Sequence, residues 1–180
     1  MKRQMRIALA VVGFGTAAAL YPCLAAAQIA KPVVTAVPSR PAAVPFDLFR
    51  ENRILLNGPV NGTDTPMILD SGAGVTTIDR DFARQIGLKK GISISAQGVG
   101  GVQQAELVQD VTVEVGNLKL SGVSVAVIDL DAIEKAIGRP MPVLLGREVF
   151  VNSVVGLHFQ KQLLRLSPAI RFVAPPRATG

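Results

Sequence analysis

The feature that most constrains the fold of this chain is an alternation of apolar and polar residues with a period of two. Valine occupies every second position of segments 111–115 and 123–127, and Gly116-Asn117 lies between them. Such alternation is typical of half-buried strands, and a short polar turn between two of them predicts a hairpin. Asn61-Gly62 favours the positive φ angles of a tight turn and predicts another hairpin, with Met67-Ile68-Leu69 as its returning strand. The pattern therefore indicates an all-β fold.

Only three short helices are predicted among the strands. The predicted helices cover about Arg80 to Ile86, capped by Asp79 and stopped by Gly87; about Ala132 to Ile137, capped by Asp131 and stopped by Gly138; and a short segment after Gly146. The segment from Ser153 to Leu166 is predicted to form a hairpin that turns at residues 160–162.

The N-terminus has the pattern of a secretory signal peptide. Basic residues precede an apolar stretch from Ile7 to Leu20, and Ala25-Ala26-Ala27 follows. We expect cleavage after Ala27, because the alternative of a membrane anchor requires about 20 apolar residues. The single cysteine, Cys23, leaves with this segment, and Tyr21-Pro22 disfavours lipid attachment to it. We therefore expect an exported protein, periplasmic or secreted, that keeps no membrane span after removal of residues 1–27.

The remaining chain fits one domain. Four prolines among alanines and valines predict a mobile linker over residues 28–45, followed by a domain over 46–173 and a loose tail over 174–180. Loss of three basic residues with the signal lowers the 19 basic residues to 16, against 13 acidic residues, so the formal charge of +6 becomes +3. The basic residues are scattered along the chain, which argues against a nucleic-acid partner.

Two similar segments carry the functional signal. Asp70-Ser71-Gly72-Ala73 directly follows the apolar strand 67–69. Taken alone, this tetrapeptide is ordinary turn chemistry, in which glycine permits unusual backbone angles and serine bonds the local backbone. In the second half of the chain, Val143-Leu144-Leu145-Gly146-Arg147 again shows an apolar strand that leads into glycine and then a helix. The two segments have the appearance of an internal repeat.

This arrangement resembles the retropepsin family of aspartic peptidases. In that family an apolar strand carries Asp-Thr/Ser-Gly-Ala, and a later apolar-apolar-Gly strand packs beside it. The resemblance covers about Arg53 to Leu166 and is greatest to small bacterial members, which also tend to carry Gly-Arg-Pro, here 138–140, before the second strand. It implies an acid-protease barrel and an aspartic-type endopeptidase that acts on protein or peptide substrates without a cofactor.

The resemblance assigns roles to individual residues. Asp70 is the implied catalytic carboxylate, and the implied active-site loop consists of Ser71, Gly72 and Ala73. The strand that supports this loop consists of Leu144, Leu145 and Gly146. The candidate flap consists of Gly98, Val99, Gly100 and Gly101, and the alternative for these four residues is an ordinary hairpin turn.

One position departs from the retroviral pattern. Retroviral members usually carry an acidic residue four positions after the catalytic aspartate, where it pairs with the arginine of the Gly-Arg element. Gly74 occupies this position here, so Arg147 lacks its usual partner.

The implied chemistry requires two carboxylates. Peptide hydrolysis without a covalent intermediate needs one group to take a proton from water and another to give a proton to the carbonyl oxygen, and two carboxylates that share one proton provide both. This chain offers one Asp-Ser-Gly, and the repeat partner has Leu144-Leu145 where a second aspartate would lie. We therefore predict a homodimer with one Asp70 from each chain, and we expect Ser71 to bond across the loop and orient the carboxylate.

Other site chemistries find little support in the sequence. His158 is the single histidine and lies in an apolar strand pattern, so a core or edge residue is expected there rather than a metal ligand or a triad member. Strand pattern rather than a helix follows Gly98–Gly101, which argues against a phosphate-binding loop. We therefore expect no metal site.

Two other classes of function remain open. A non-catalytic exported module with the same fold could bind an extended peptide by strand addition. A structural partner of a membrane assembly would use the proline-rich arm 28–45. The sequence does not indicate the substrate or the cleavage preference.

Overall fold

The computed structural model describes residues 33–36, 42–50, 52–98 and 101–168. The predicted signal peptide, the domain end near residue 173 and the predicted tail lie outside these residues. In the described part of the chain, no helix has both the length and the apolar character needed to cross a membrane.

Strands dominate the described residues, as the sequence predicts. The strands are β1 (Val33–Ala36), β2 (Ala42–Pro45), β3 (Asp47–Phe49), β4 (Arg53–Val60), β5 (Thr63–Leu69), β6 (Thr77–Asp79), β7 (Ile92–Gly98), β8 (Gly101–Val115), β9 (Leu118–Ile128), β10 (Val143–Leu145), β11 (Val154–His158) and β12 (Leu163–Ser167). The helices are α1 (Arg80–Gln85), α2 (Asp131–Ile137) and α3 (Arg147–Asn152), and a 3₁₀ turn covers Phe159–Lys161. The prediction of an all-β fold with a few short helices is confirmed.

The main sheet closes on itself. Its strands follow the order β1-β9-β6-β10-β5-β4-β8-β7, with β3 added beside β4, and β8 also pairs with β9. The path from β9 through β6, β10, β5, β4 and β8 therefore returns to β9, and these six strands form a barrel. Strands β11, β12 and β2 form a separate three-stranded sheet.

The barrel interior is filled by aliphatic side chains. Met67, Ile78, Val143 and Leu145 are fully buried in the main core. Successive side chains of a strand point to opposite faces of its sheet. Accordingly, Leu144 packs with a second, smaller cluster formed by Leu55, Ile68, Ile137 and Met141. Strand β10 is thus packed on both faces.

Local signals predict the turns and one helix start correctly. Asn61 and Gly62 both adopt positive φ, 47° and 82°, between β4 and β5. Asp79 caps α1, because its Oδ1 accepts the backbone N–H groups of Asp81 at 2.8 Å and Phe82 at 3.1 Å. Gly138 ends α2 in the left-handed conformation.

The predicted cap of α2 is wrong. Its N-cap is Leu130, which makes no side-chain cap hydrogen bond and is fully buried. Asp131 is the first helical residue, and its N–H donates to the Asp129 carboxylate at 3.0 Å. Burial of Leu130 fixes where this helix begins, and a sequence cap signal does not report on burial.

The predicted linker also needs correction. Ala42–Pro45 pairs antiparallel with β12, and Val44 is buried in the main core. Val33–Ala36 pairs with β9. The ordered domain therefore begins before Phe46, because strand pairing with distant segments outweighs the proline-rich composition of this arm.

Candidate functional site

Strand β10 lies between the two strands that the Asp70 loop connects. It pairs in parallel with β5, with Val143 beside Met67 and Leu145 beside Leu69. It pairs antiparallel with β6 on its other side, where Val143 lies beside Ile78. Residues 70–76 leave β5 and return to β6, so the end of β10 lies directly between the two ends of this loop.

Backbone groups bond both the N–H and the side chain of Asp70. Its N–H donates to Leu145 O at 2.9 Å, and its Oδ1 accepts the N–H of Gly72 at 2.8 Å. A Cβ on residue 72 would lie 3.2 Å from Oδ1, so glycine permits this close approach. Asp70 is half-buried, and no donor among the described residues reaches its Oδ2. One carboxylate oxygen is therefore fixed, and the other is left for a ligand or a second chain.

Ser71 does not take the expected part in this loop. It is exposed, and among the described residues its hydroxyl has no hydrogen-bond partner. The N–H of Gly72, rather than Ser71, orients the Asp70 carboxylate within this chain. Ala73 closes the loop, because its N–H donates to Asp70 O at 3.3 Å and its O accepts the N–H of Arg147 at 3.0 Å.

The segment of Leu144, Leu145 and Gly146, to which the resemblance assigns the support of the loop, lies beside the end of β5. Leu145 is fully buried and accepts the Asp70 N–H. Gly146 is also buried, and a Cβ at this position would lie 2.5 Å from the carbonyl carbon of Val75 and 2.6 Å from Thr76 N. Contacts that short do not occur, so glycine is required for the loop to pack against the start of α3.

Sequence reasoning missed two residues of this site. Thr76 is 1% exposed and Glu148 is 7% exposed. Glu148 Oε2 accepts the Thr76 N–H at 3.1 Å and the Thr76 hydroxyl at 3.0 Å, and Thr76 Oγ1 accepts the Gly146 N–H at 3.1 Å. The local sequence carries no clear signal for either residue, since Thr76 precedes Thr77 and Glu148 follows Arg147, and only the fold shows that they meet.

The candidate flap is a hairpin. Strands β7 and β8 pair from Ile92 beside Leu107 to Gly98 beside Gly101, where Gly101 has φ of 100°. Val99 and Gly100, at its tip, lie outside the described residues. The first half of β8 belongs to this exposed hairpin, and its second half continues into the barrel beside β9. Val102 is 69% exposed, so the hairpin extends beyond the core.

The structure also places Arg147 and His158, two residues whose surroundings the sequence analysis addressed. The Arg147 side chain is exposed and forms no ion pair within the described part of the chain, as the glycine at position 74 predicts. His158 is an exposed residue of β11 whose Nδ1 accepts the Lys161 N–H at 3.3 Å. It is therefore an edge residue, one of the two positions expected for it.

The surface offers clefts away from Asp70. One cleft of about 370 Å³ lies between α1 and Glu134, and another of about 350 Å³ lies between α1 and the base of the candidate flap. Asp70 lines neither cleft. Within the described ranges, no group of three or more potential metal ligands comes together.

Comparison with known proteins assigns the family. The solved structures include a similar one, a retropepsin-like aspartic protease from Rickettsia conorii, with 17% identity, a TM-score of 0.48, and coverage of 75% of this chain and 92% of that one. The comparison with curated proteins gives no significant match. The sequence model of the family described as aspartyl protease matches residues 56–149, a segment that spans more than half of the chain and includes both the Asp70 loop and Gly146. The chain belongs to the aspartyl protease family.

Proposed function

We propose that this protein is an aspartic-type endopeptidase in which water is activated by two Asp70 carboxylates, one from each chain of a homodimer. The observation that carries the proposal is the setting of Asp70. Its Oδ1 is fixed by the Gly72 N–H, its backbone is fixed by Leu145 O, and its Oδ2 is free of protein donors among the described residues. A carboxylate held in this way is oriented yet open to a reactant.

The chemistry follows from two such groups that share one proton. The ionised carboxylate accepts a proton from water as the water attacks the scissile carbonyl carbon, and the protonated carboxyl donates its proton to the carbonyl oxygen. Two carboxyls in contact do not both ionise easily, so one of them stays protonated over a range of pH. Each Asp70 therefore supplies half of the acid–base pair.

A dimer is proposed because a single chain supplies one carboxylate. Among the described residues, the Asp70 side chain bonds only the Gly72 N–H, and the neighbouring end of β10 carries Leu145, followed by Gly146. A two-fold axis beside the loop would bring two Asp70 side chains together. Exposed Ser71 has no partner within the described part of its own chain, and a second loop could supply one.

The exposed hairpin of β7 and β8 supports a role as a flap over an extended peptide. Residues 98–101 would then cover the groove between the two chains.

We also propose that the protein is exported and cleaved after Ala27. N-terminal sequencing of protein recovered from the periplasm or medium tests this proposal, and an intact N-terminus would contradict it.

The test of activity is direct. Residues 28–180 are incubated with a diverse peptide mixture from acidic to neutral pH, and the products are identified by mass spectrometry. Cleavage by the wild type that is absent from Asp70→Asn supports the peptidase. Equal cleavage by both proteins means that another residue or a contaminant does the chemistry. Peptide binding without cleavage, unchanged by Asp70→Asn, favours the non-catalytic binding module.

The dimer has a separate test. Sedimentation of the mature protein measures its mass, and activity is measured while inactive Asp70→Asn chains are added to the wild type. With exchanging subunits, mixed dimers should lose activity, so that the activity per wild-type chain falls as the variant is added. A fully active monomer, or full activity per wild-type chain despite proven exchange, would exclude the shared site.

A further inference from the structure

Glu148 is a buried carboxylate that the proposed mechanism does not use. It lies in the first turn of α3 and is 7% exposed. No ion pair involves it among the described residues. A carboxylate removed from water without a cation is costly unless hydrogen bonds compensate. Among the described residues, the hydrogen-bond partners of its carboxylate are the N–H and the hydroxyl of Thr76, both bonded to Oε2.

Glu148 fixes the direction of the Thr76 hydroxyl. A hydroxyl has one proton to donate and lone pairs to accept with. The Thr76 hydroxyl donates to Glu148 at 3.0 Å, so its lone pairs are available to the Gly146 N–H at 3.1 Å. Glu148, Thr76 and Gly146 thus form a short buried chain of hydrogen bonds that joins the end of the Asp70 loop to the end of β10.

Among the described residues, this series of hydrogen bonds is one of three attachments between the loop and the β10–α3 segment. The loop is bonded at its start by Asp70 N–H to Leu145 O, in its middle by Arg147 N–H to Ala73 O, and at its end by Thr76 to Glu148. The third attachment alone depends on a side chain of α3. Loss of it would free the loop at its C-terminal end while the first two bonds remain.

We propose that Glu148 is a positioning residue for Asp70, which acts through Thr76 and requires an oxygen acceptor rather than a negative charge. The proposal rests on the proposed peptidase activity. A displacement of about 1 Å at a reacting group costs about 100-fold in rate. An unanchored loop should therefore lower kcat more than it raises KM.

Three variants test whether residue 148 must supply an oxygen acceptor or a negative charge. Glu148→Ala removes the acceptor, and we expect kcat to fall about 10- to 100-fold with KM changed less than about threefold. Glu148→Gln keeps an acceptor oxygen but removes the charge, and we expect kcat within about threefold of the wild type. Thr76→Val removes the hydroxyl from the other side and should resemble Glu148→Ala. Since both act on one contact, the double variant should be little worse than either single one.

Ser153→Ala is the matched control. Ser153 follows α3, is 4% exposed, and its hydroxyl donates to Val149 O at 2.7 Å. This variant also removes a buried hydrogen bond near α3 but makes no contact with the loop. It should lower the melting temperature and leave kcat unchanged.

Hydrogen–deuterium exchange of the peptide that covers residues 70–76 gives a readout independent of catalysis. Exchange should accelerate in Glu148→Ala and Thr76→Val but not in Glu148→Gln or Ser153→Ala. If the wild type proves inactive while this exchange pattern holds, the proposed function fails and the positioning role stands.

Several results would overturn the inference. They are a folded Glu148→Ala with kcat within threefold of the wild type, a Glu148→Gln as impaired as Glu148→Ala, and an equal loss of kcat in Ser153→Ala. If Glu148→Ala does not fold, Thr76→Val and Glu148→Gln decide the question.

Discussion

The ends of β5 and β10 lie side by side in the barrel, and they differ in what their residues do. Both strands end in apolar residues and run parallel, with Leu69 beside Leu145. The chain after β5 turns outward through exposed Ser71 and Gly72 and presents a half-buried carboxylate. The chain after β10 stays buried at Gly146 and enters α3.

The two segments share a local pattern but have different roles, because one presents a carboxylate and the other supports the loop that carries it. In the proposed peptidase, the end of β5 is open because the Asp70 carboxylate must meet the substrate. The end of β10 and the start of α3 are buried because they hold the Asp70 loop. Leu145 O, Gly146 and Glu148 all bond or touch this loop. Substitutions at the end of β5 should therefore affect rate directly, and substitutions at or after the end of β10 should affect stability or, as at Glu148, should affect rate through the position of the loop.

Asp70→Asn should have the largest effect on rate. The amide keeps the shape of the side chain but does not accept a proton as a carboxylate does, so activity should fall at least about 1,000-fold, which is about 4 kcal/mol in the barrier. The oxygen that accepts the Gly72 N–H remains, so circular dichroism and melting should change little. Residual activity near the wild-type value would assign the chemistry elsewhere.

Gly146→Ala should have the largest effect on stability. A Cβ there meets the backbone of Val75 and Thr76, which does not yield as a side-chain end does. We expect destabilisation of about 1–3 kcal/mol or more, measured by thermal or urea unfolding. Gly74→Ala is the control within the same loop, because nothing lies within 4 Å of a Cβ there. Equal stability of the two variants would contradict the close packing at Gly146.

Asp79→Ala should lower stability without removing the proposed catalytic group, Asp70. Its carboxylate accepts three backbone N–H groups, from Asp81, Phe82 and Leu130, so α1 loses its cap and the start of α2 loses its link to Asp79. We expect a loss of about 1–2 kcal/mol in unfolding free energy, and a smaller loss for Asp79→Asn, which keeps an acceptor oxygen. The activity of folded protein should persist in both variants, and its loss in Asp79→Asn would implicate this carboxylate in the reaction.

Asp81→Asn should have the smallest effect. Asp81 pairs with Arg84 at 2.6 Å, but the two side chains are 80% and 71% exposed. An exposed pair of this kind contributes less than about 1 kcal/mol and is weakened by salt. Melting temperature and peptide cleavage should both stay near the wild-type values. A large loss of activity would overturn the view that reactivity is confined to the end of β5.

Sequence reasoning succeeded where the determining contacts are local. Asn61 and Gly62 adopt the positive φ angles that their turn requires, and Asp79 bonds N–H groups two and three residues away. Gly138 adopts a positive φ angle that is unfavourable for other residues. The Asp70 loop was found because its pattern is contiguous. Its placement beside Gly146 was implied by the resemblance to the retropepsin family, in which the two segments pack together.

Sequence reasoning failed where the determining contact is distant. Thr76 and Glu148 are 72 residues apart, and nothing near either residue in the sequence predicts their hydrogen bonds. Ala42–Pro45 has the composition of a linker, and only its pairing with β12 shows that it belongs to the fold. Ser71 is a local exception: it was expected to orient Asp70 from its type and position, but within one chain the Gly72 backbone makes this contact.

The position of β10 between β5 and β6 has a consequence for the order in which the protein takes shape. The neighbours of β10 are Met67–Leu69 and Thr77–Ile78, which leave the ribosome long before Val143. Contacts of such sequence separation form late, because a long loop of chain must first close. During synthesis, and in any fragment that ends before Val143, Asp70 has neither Leu145 O nor Glu148 behind its loop. A nascent chain therefore carries the carboxylate without the geometry that orients it.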